Sequence, residues 1–144
     1  MRVLVINGPN LNLLGEREPE IYGTQTLADL NDVVASTARD LGLEIDFLQH
    51  NGEGEIIDAL HAARASYDAI IINPGAYSHY SYAIADAIAA ISIPVVEVHL
   101  SNISAREPHR RISVTAAACI GSISGFGARS YVLAVHAVAQ VLKK

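Results

Sequence analysis

"AIIIN", residues 69–73, carries no charge and sets three isoleucines in a row before a terminal asparagine. A strand with one wet face alternates apolar and polar residues. An unbroken β-branched run instead suits a strand covered on both faces, as in a parallel sheet. Working outward, similar runs stand at "VLVIN" (3–7), "IDFLQ" (45–49) and "VVEVH" (95–99), with a weaker one at "CIGSISG" (119–125). Between them apolar residues recur at helical spacing: Leu27, Leu30, Val33, Val34, Ala38 and Leu41, stopped by Gly42; Ile56, Ile57, Leu60 and Ala63; Ile84, Ala87, Ile88 and Ile91, with Pro94 just beyond; and Tyr131, Val132, Val135, Val138 and Leu142. No linker, repeat or low-complexity stretch interrupts the alternation. The pattern predicts one α/β domain over residues 1–144. Its architecture is a flavodoxin-like, doubly wound, five-stranded parallel sheet in the order 2-1-3-4-5, with helices on both faces.

The bulk numbers narrow the function. The 144 residues suffice for a core without staples, and 51% apolar against 17% charged residues is a globular balance. A formal charge of −5 argues against a nucleic-acid surface, which wants clustered cations. No segment has the apolar length of a membrane span, and the chain begins "MRVLVIN" without the apolar stretch of a secretory leader. Cys119 is the single cysteine, so a reducing cytoplasm is the expected compartment, and a small buried hydrophobe its expected role. Lys143 and Lys144 are the only lysines. A Schiff-base mechanism needs a desolvated lysine in a pocket and a P-loop needs one after its glycines, so both classes drop out.

Open α/β sheets bind ligands beyond the carboxyl ends of their strands. In this sequence those ends read Asn7-Gly8-Pro9-Asn10, then Asn73-Pro74-Gly75 running on to Ser78 and His79, then Glu97-Val98-His99 followed by "LSNISAREPHRR". Three strand ends thus send amides, imidazoles and a carboxylate to one edge. Each residue also has a plainer reading. Asn10 and Asn73 stand beside proline or glycine, where asparagine commonly forms turns. Glu97 lies two residues before His99 on one strand face, where a carboxylate fixes an imidazole tautomer; a structural ion pair has the same spacing. His79, in a strand-to-helix loop, suits ligand contact or capping. His61 and His136 fall within helical patterns as ordinary helix residues. Arg106, Arg110 and Arg111 form the densest cation cluster, suited to an anionic, hydroxylated ligand whose carboxylate would rest on the amides of Leu100 and Ser101; at least one of the three is expected to be solvated. The glycines of "GFG" (125–127) lack dinucleotide-binding spacing.

The segment "NGPNLNLLGEREPEIYG" (7–23) mixes asparagines, Arg17, Tyr22 and three leucines. Over residues 11–23 this is the composition of a mobile lid: Leu11, Leu13 and Leu14 to pack on closing, Gly15 and Gly23 as hinges. An ordinary phenol ionises near ~10, and an adjacent guanidinium favours the anion, so Arg17 beside Tyr22 makes a general base. Without the arginine, Tyr22 reads as a plug onto the core.

Together, "NGPNLNLLGEREPEIYG", "EGEIIDALH", "INPGAYSHYSYAIADA", "VEVHLSNISAREPHRR" and "SGFGARSYVLAV" closely resemble the type II 3-dehydroquinases over essentially the whole chain. The resemblance implies dehydration of 3-dehydroquinate to 3-dehydroshikimate by anti elimination through an enolate, with no metal and no organic cofactor. Matching motif positions make Tyr22 the base at C2, with Arg17 favouring its phenolate. Asn10 holds the water on the enolate oxygen, and His99 is the acid for the C1 hydroxyl, oriented by Glu97. Asn73, His79 and Arg110 bind ring hydroxyls, and the amides of Leu100 and Ser101 take the carboxylate. Asp86 comes from a neighbouring subunit, because family trimers assemble into dodecamers. Ala85, Tyr80 and His109 depart from the usual family residues, as does "QHNGEGE" (49–55).

Other readings of this fold class fit less well. A flavin mononucleotide carrier needs a hydroxyl- and glycine-rich loop where Pro9 and Leu11 stand. A signalling receiver needs an aspartate where strand three ends in Asn73. A family member reduced to an assembly scaffold would not need Tyr22, Arg17 and His99 intact.

Overall fold

The computed structural model describes all 144 residues. Its strands are β1 (Arg2–Asn7), β2 (Glu44–Gln49), β3 (Ala69–Asn73), β4 (Val95–His99) and β5 (Gly121–Ser124), all parallel, in the order β2-β1-β3-β4-β5. The helices are α1 (Pro19–Tyr22), α2 (Leu27–Asp40), α3 (Glu53–Ala63), α4 (Tyr82–Ala90) and α5 (Ala128–Leu142). The predicted flavodoxin-like sheet and its strand order are what the chain adopts. β5 is shorter than the predicted run of 119–125: Cys119 caps the 3-10 turn over residues 116–118, and the strand begins only at Gly121 and ends at Ser124.

β3 and β4 are buried at every position, and β1 at all but Arg2. Alternate residues on each strand feed two separate cores. Val3, Val5, Ala69, Ile71, Val96 and Val98 pack on one side with Leu30 and Val34 of α2 and Val135 and Val138 of α5. Leu4, Ile6, Ile70, Ile72 and Val95 pack on the other with Ile56 and Leu60 of α3 and Ile84 and Ile88 of α4. Each large side chain so buried contributes about 1.5–3 kcal/mol of transfer free energy. The edge strand β2 alternates exposed and half-buried residues.

Local chemistry sets the helix ends. Thr26 accepts from the Asp29 amide at 3.1 Å while Asp29 accepts from the Thr26 amide at 3.0 Å, a reciprocal cap on α2. At its other end Gly42 takes a positive φ of 72°, and the Leu43 amide reaches back to Ala38 O at 2.9 Å. Ser81 caps α4 and donates to Glu53 Oε2 at 2.6 Å, tying the starts of α3 and α4 together.

The two edges of the sheet are held by different contacts. At the amino-terminal edge, Arg2 donates to Asp46 at 2.9 Å and stacks 4.7 Å over Tyr67, whose hydroxyl donates to the same carboxylate. At the carboxyl edge β1 and β3 end level, Asn7 opposite Asn73. Their loops touch there: the Gly8 amide donates to Asn73 O at 2.8 Å, and a Cβ on Gly8 would sit 2.6 Å from Pro74 backbone atoms. Glycine is required for that approach. No helix is long and apolar enough to cross a membrane.

Candidate active site

Beyond the carboxyl edge lies a cleft lined by Asn10, Arg17, Tyr22, Asn73, His79, His99, Leu100, Ser101, Arg106 and Arg110. The structure therefore gathers nine of the sequence-predicted site residues into one place and adds Arg106 to them. Glu97 stands behind His99, fully buried, and Asp86 lies on α4 away from this chain's own cleft.

The i, i+2 spacing on β4 puts His99 and Glu97 on one face, and His99 Nε2 meets Glu97 Oε2 at 2.9 Å. That bond leaves His99 Nδ1 for a ligand. The same carboxylate accepts from Ser113 Oγ at 2.6 Å and from Thr115 Oγ1, so both oxygens have donors despite full burial. His79 Nδ1 lies 2.8 Å from Ile112 O. A carbonyl only accepts, so Nδ1 carries the hydrogen and Nε2 is the free nitrogen. Burial holds the His79 imidazole below its ordinary value, with His99, Arg110 and His109 pushing the same way against the Ile112 hydrogen bond. The two rings lie 6.4 Å apart at 19°. Residues 112–115 thus brace both imidazoles from behind.

Asn10 sits in the left-handed region at φ 68°, one of two non-glycine residues there. Asn51 Oδ1 accepts from its amide at 3.1 Å and from Gln49 Nε2 at 3.0 Å, so the end of β2 holds the loop after β1. Asn73 is almost wholly internal: its Oδ1 accepts from the Gly75 amide at 3.1 Å and its Nδ2 donates to Tyr131 Oη at 2.8 Å.

Residues 11–23 lie over this edge. Leu11 and Leu14 are buried in the core on the α2–α5 side, Tyr22 packs against it, and Leu13 remains exposed. Gly15 and Gly23 hold positive φ values of 90° and 78°. Arg17 meets Tyr22 as expected, but through the ring, with its guanidinium carbon 4.8 Å from the centroid. The phenol oxygen belongs to Arg106, whose Nη1 donates to it at 3.1 Å and to Ser101 Oγ at 3.1 Å. Arg106 also lies 5.5 Å from the ring, so two guanidiniums flank one phenol. Burial works against the Arg106 charge, but the hydrogen bond and charge of Tyr22, with Glu107, hold its pKa above the usual arginine value.

Glu107 accepts from Arg110 Nε at 2.8 Å and Arg106 Nε at 3.4 Å, which keeps its carboxyl below the ordinary range. Arg111 is the exposed member of the cluster, its Nε bonded to Arg106 O at 2.8 Å. Sequence reasoning missed the individual roles of Arg106, Ser113, Thr115, Asn51 and Tyr131. Only Arg106 carried a signal, as part of the cation cluster. Cys119 is partly buried, and burial with the Glu97 charge pushes its thiol up to about 12.

The family model for dehydroquinase class II matches residues 1–139. The 3-dehydroquinate dehydratase of Caldicellulosiruptor bescii is 58% identical over 142 residues, covering 98% of each chain. The type II dehydroquinase of Butyrivibrio crossotus superposes with a TM-score of 0.94 at 46% identity, covering 96% of this chain and 97% of that one. The type II dehydroquinase of Propionibacterium acnes gives 0.93 at 44% identity, covering 96% of both. By its sequence, its sheet and the match along nearly its full length, the chain belongs to the class II dehydroquinase family.

Proposed function

We propose that the chain, a 3-dehydroquinate dehydratase by family, removes water from 3-dehydroquinate by anti elimination through an enolate, without a Schiff base. The observation that carries this reading is the pairing of two proton-transfer groups on one cleft. Tyr22 stands there between two guanidiniums, and His99 is backed by the buried Glu97 carboxylate. The Arg106 guanidinium donates to the Tyr22 oxygen, the atom that would receive the proton. Tyr22 is then the base that takes the C2 proton.

His99, held through Nε2, protonates the departing C1 hydroxyl from Nδ1, and the negative charge that builds on the enolate oxygen is met by a water held at Asn10. Asn73, His79 and Arg110 receive the ring hydroxyls, with His79 offering its unprotonated Nε2 as acceptor. Leu100 and Ser101 take the carboxylate. Residues 11–23 act as a lid that opens for exchange, carrying Arg17 and Tyr22 with it, and Asp86 serves the cleft of a neighbouring subunit in a homododecamer. No metal or organic cofactor takes part. The residues' chemistry fits use in the shikimate pathway and in quinate breakdown alike.

The test is direct. With 3-dehydroquinate added, absorbance of the conjugated enone product is expected to rise, at a rate unchanged by prior borohydride treatment with substrate. Tyr22→Phe and His99→Ala are each expected to lower kcat by about 10²–10⁴-fold, the range for removing a proton-transfer group. Inactivation by borohydride plus substrate would contradict the enolate route.

A further inference from the structure

Tyr131 of α5 looks from sequence like one more apolar position in a helical stripe, and its ring is indeed in the core, 1% exposed. Its hydroxyl does something else. We infer that Tyr131 is a positioning residue for Asn73, its hydroxyl fixing which way round the Asn73 amide is presented to substrate; this rests on the substrate-binding role proposed for Asn73.

The argument follows hydrogen-bond polarity. The Gly75 amide can only donate, so the Asn73 atom 3.1 Å from it is Oδ1. Nδ2 therefore points the other way and donates to Tyr131 Oη at 2.8 Å. A hydroxyl has one hydrogen, and with Asn73 donating to it, that hydrogen goes to Asn7 Oδ1 at 2.7 Å. Burial pushes the Tyr131 phenol's pKa upward, which keeps it protonated and keeps it a donor. Every bond in the chain from Gly75 through Asn73 and Tyr131 to Asn7 then has one direction. The Asn73 amide cannot flip without setting N–H against N–H at Gly75. It retains one N–H and one carbonyl lone pair for a ligand, in fixed places.

Asn7 is the telling member. It is fully buried, and its Nδ2 has no partner within the chain. An apolar residue at the end of β1 would avoid that cost; asparagine supplies the acceptor the Tyr131 hydroxyl needs. The three side chains come from residues separated by 58 and 124 positions, and β1 and β3 deliver the two asparagines level with each other.

Steady-state kinetics with 3-dehydroquinate on Tyr131→Phe, Asn73→Ala and the double variant test this, with folding followed by circular dichroism. Tyr131→Phe is expected to lower kcat/KM about three- to tenfold, mainly through KM and with an unchanged pH profile, as for one lost orienting hydrogen bond. In the Asn73→Ala background the same change is expected to add nothing. Additive losses, or a folded Tyr131→Phe with wild-type kcat/KM, overturn the inference. Should Tyr131→Phe not fold, Asn7→Ala goes through the same cycle. It keeps the ring and removes the hydroxyl's acceptor, and its KM effect is likewise expected to vanish beside Asn73→Ala; persistence of that effect overturns the inference. Wild-type kinetics in Asn73→Ala itself would overturn both this inference and the role of Asn73 on which it rests. Loss in Asn73→Ala without loss in Tyr131→Phe removes only the inference.

Discussion

Glu97 is a carboxylate taken entirely out of water, and its burial is tolerable because His99, Ser113 and Thr115 all donate to it. A buried anion without such donors would cost several kcal/mol. The geometry makes its exchange for an amide informative. In Glu97→Gln the new NH2 can face Thr115, whose hydroxyl turns to accept it, so the amide oxygen still receives His99 Nε2 while the negative charge behind the imidazole is lost. The protonated imidazole that donates from Nδ1 then lacks the anion that stabilises it. We expect kcat to fall by about 10²–10⁴-fold while substrate affinity changes little, by analogy with the loss when a histidine's orienting carboxylate is neutralised in serine proteases. Stopped-flow turnover together with calorimetric binding of 3-dehydroquinate separates the two. Equal losses in affinity and turnover would mean that Glu97 only holds the fold. The Glu97–His99 pair was legible in sequence because strand geometry guarantees that i and i+2 share a face. Ser113 and Thr115 were not, since they lie on an irregular segment whose path no periodicity announces. Arg106 was visible only as one of three arginines, because proximity to Tyr22 depends on how residues 11–23 lie over the sheet.

The elements place these side chains through a few close approaches between strand ends. The loops after β1 and β3 meet at Gly8, where an added Cβ would fall 2.6 Å from both the carbonyl carbon and oxygen of Pro74. Both obstacles are backbone, so no rotamer change relieves the clash, and the loops must separate. Asn10 lies two residues beyond and His79 on the other loop. Gly8→Ala is therefore expected to cost about 1–3 kcal/mol of stability, and to lower kcat by about 10²-fold through displacement of these groups. Thermal melts and turnover, measured on the same preparation, check both; full activity in the variant would show that the contact between the loops is dispensable. At this level the sequence was most informative. Isoleucine runs, helical stripes and the glycine after Leu41 gave the alternation, and five strands in a doubly wound fold favour the flavodoxin-like order. The predicted β5 starts two residues early, because Cys119 and Ile120 are as apolar as a strand but lead out of the 3-10 turn over residues 116–118.

Considered as one body, the chain leaves two things unexplained by itself. Tyr82, Ile112 and Phe126 are 70%, 69% and 61% exposed, more apolar surface than a −5 chain needs to show to water. Asp86, assigned to substrate by family resemblance, does not line the cleft of its own chain. The proposed homododecamer accounts for both, with copies covering those side chains and each cleft receiving Asp86 from a neighbour. That arrangement has a consequence which a self-sufficient monomer lacks. Tyr22→Phe disables a subunit's own cleft yet still lends Asp86; Asp86→Ala does the reverse. Oligomers reassembled from an equal mixture of the two contain clefts with both groups intact. In a head-to-tail arrangement about a quarter of all clefts regain them. Activity of the mixture is expected to approach that fraction of wild type, far above the sum of the two variants measured separately, while sedimentation shows the same large particle throughout. A mixture no more active than its parts would mean that Asp86 acts within its own chain or takes no part in the reaction.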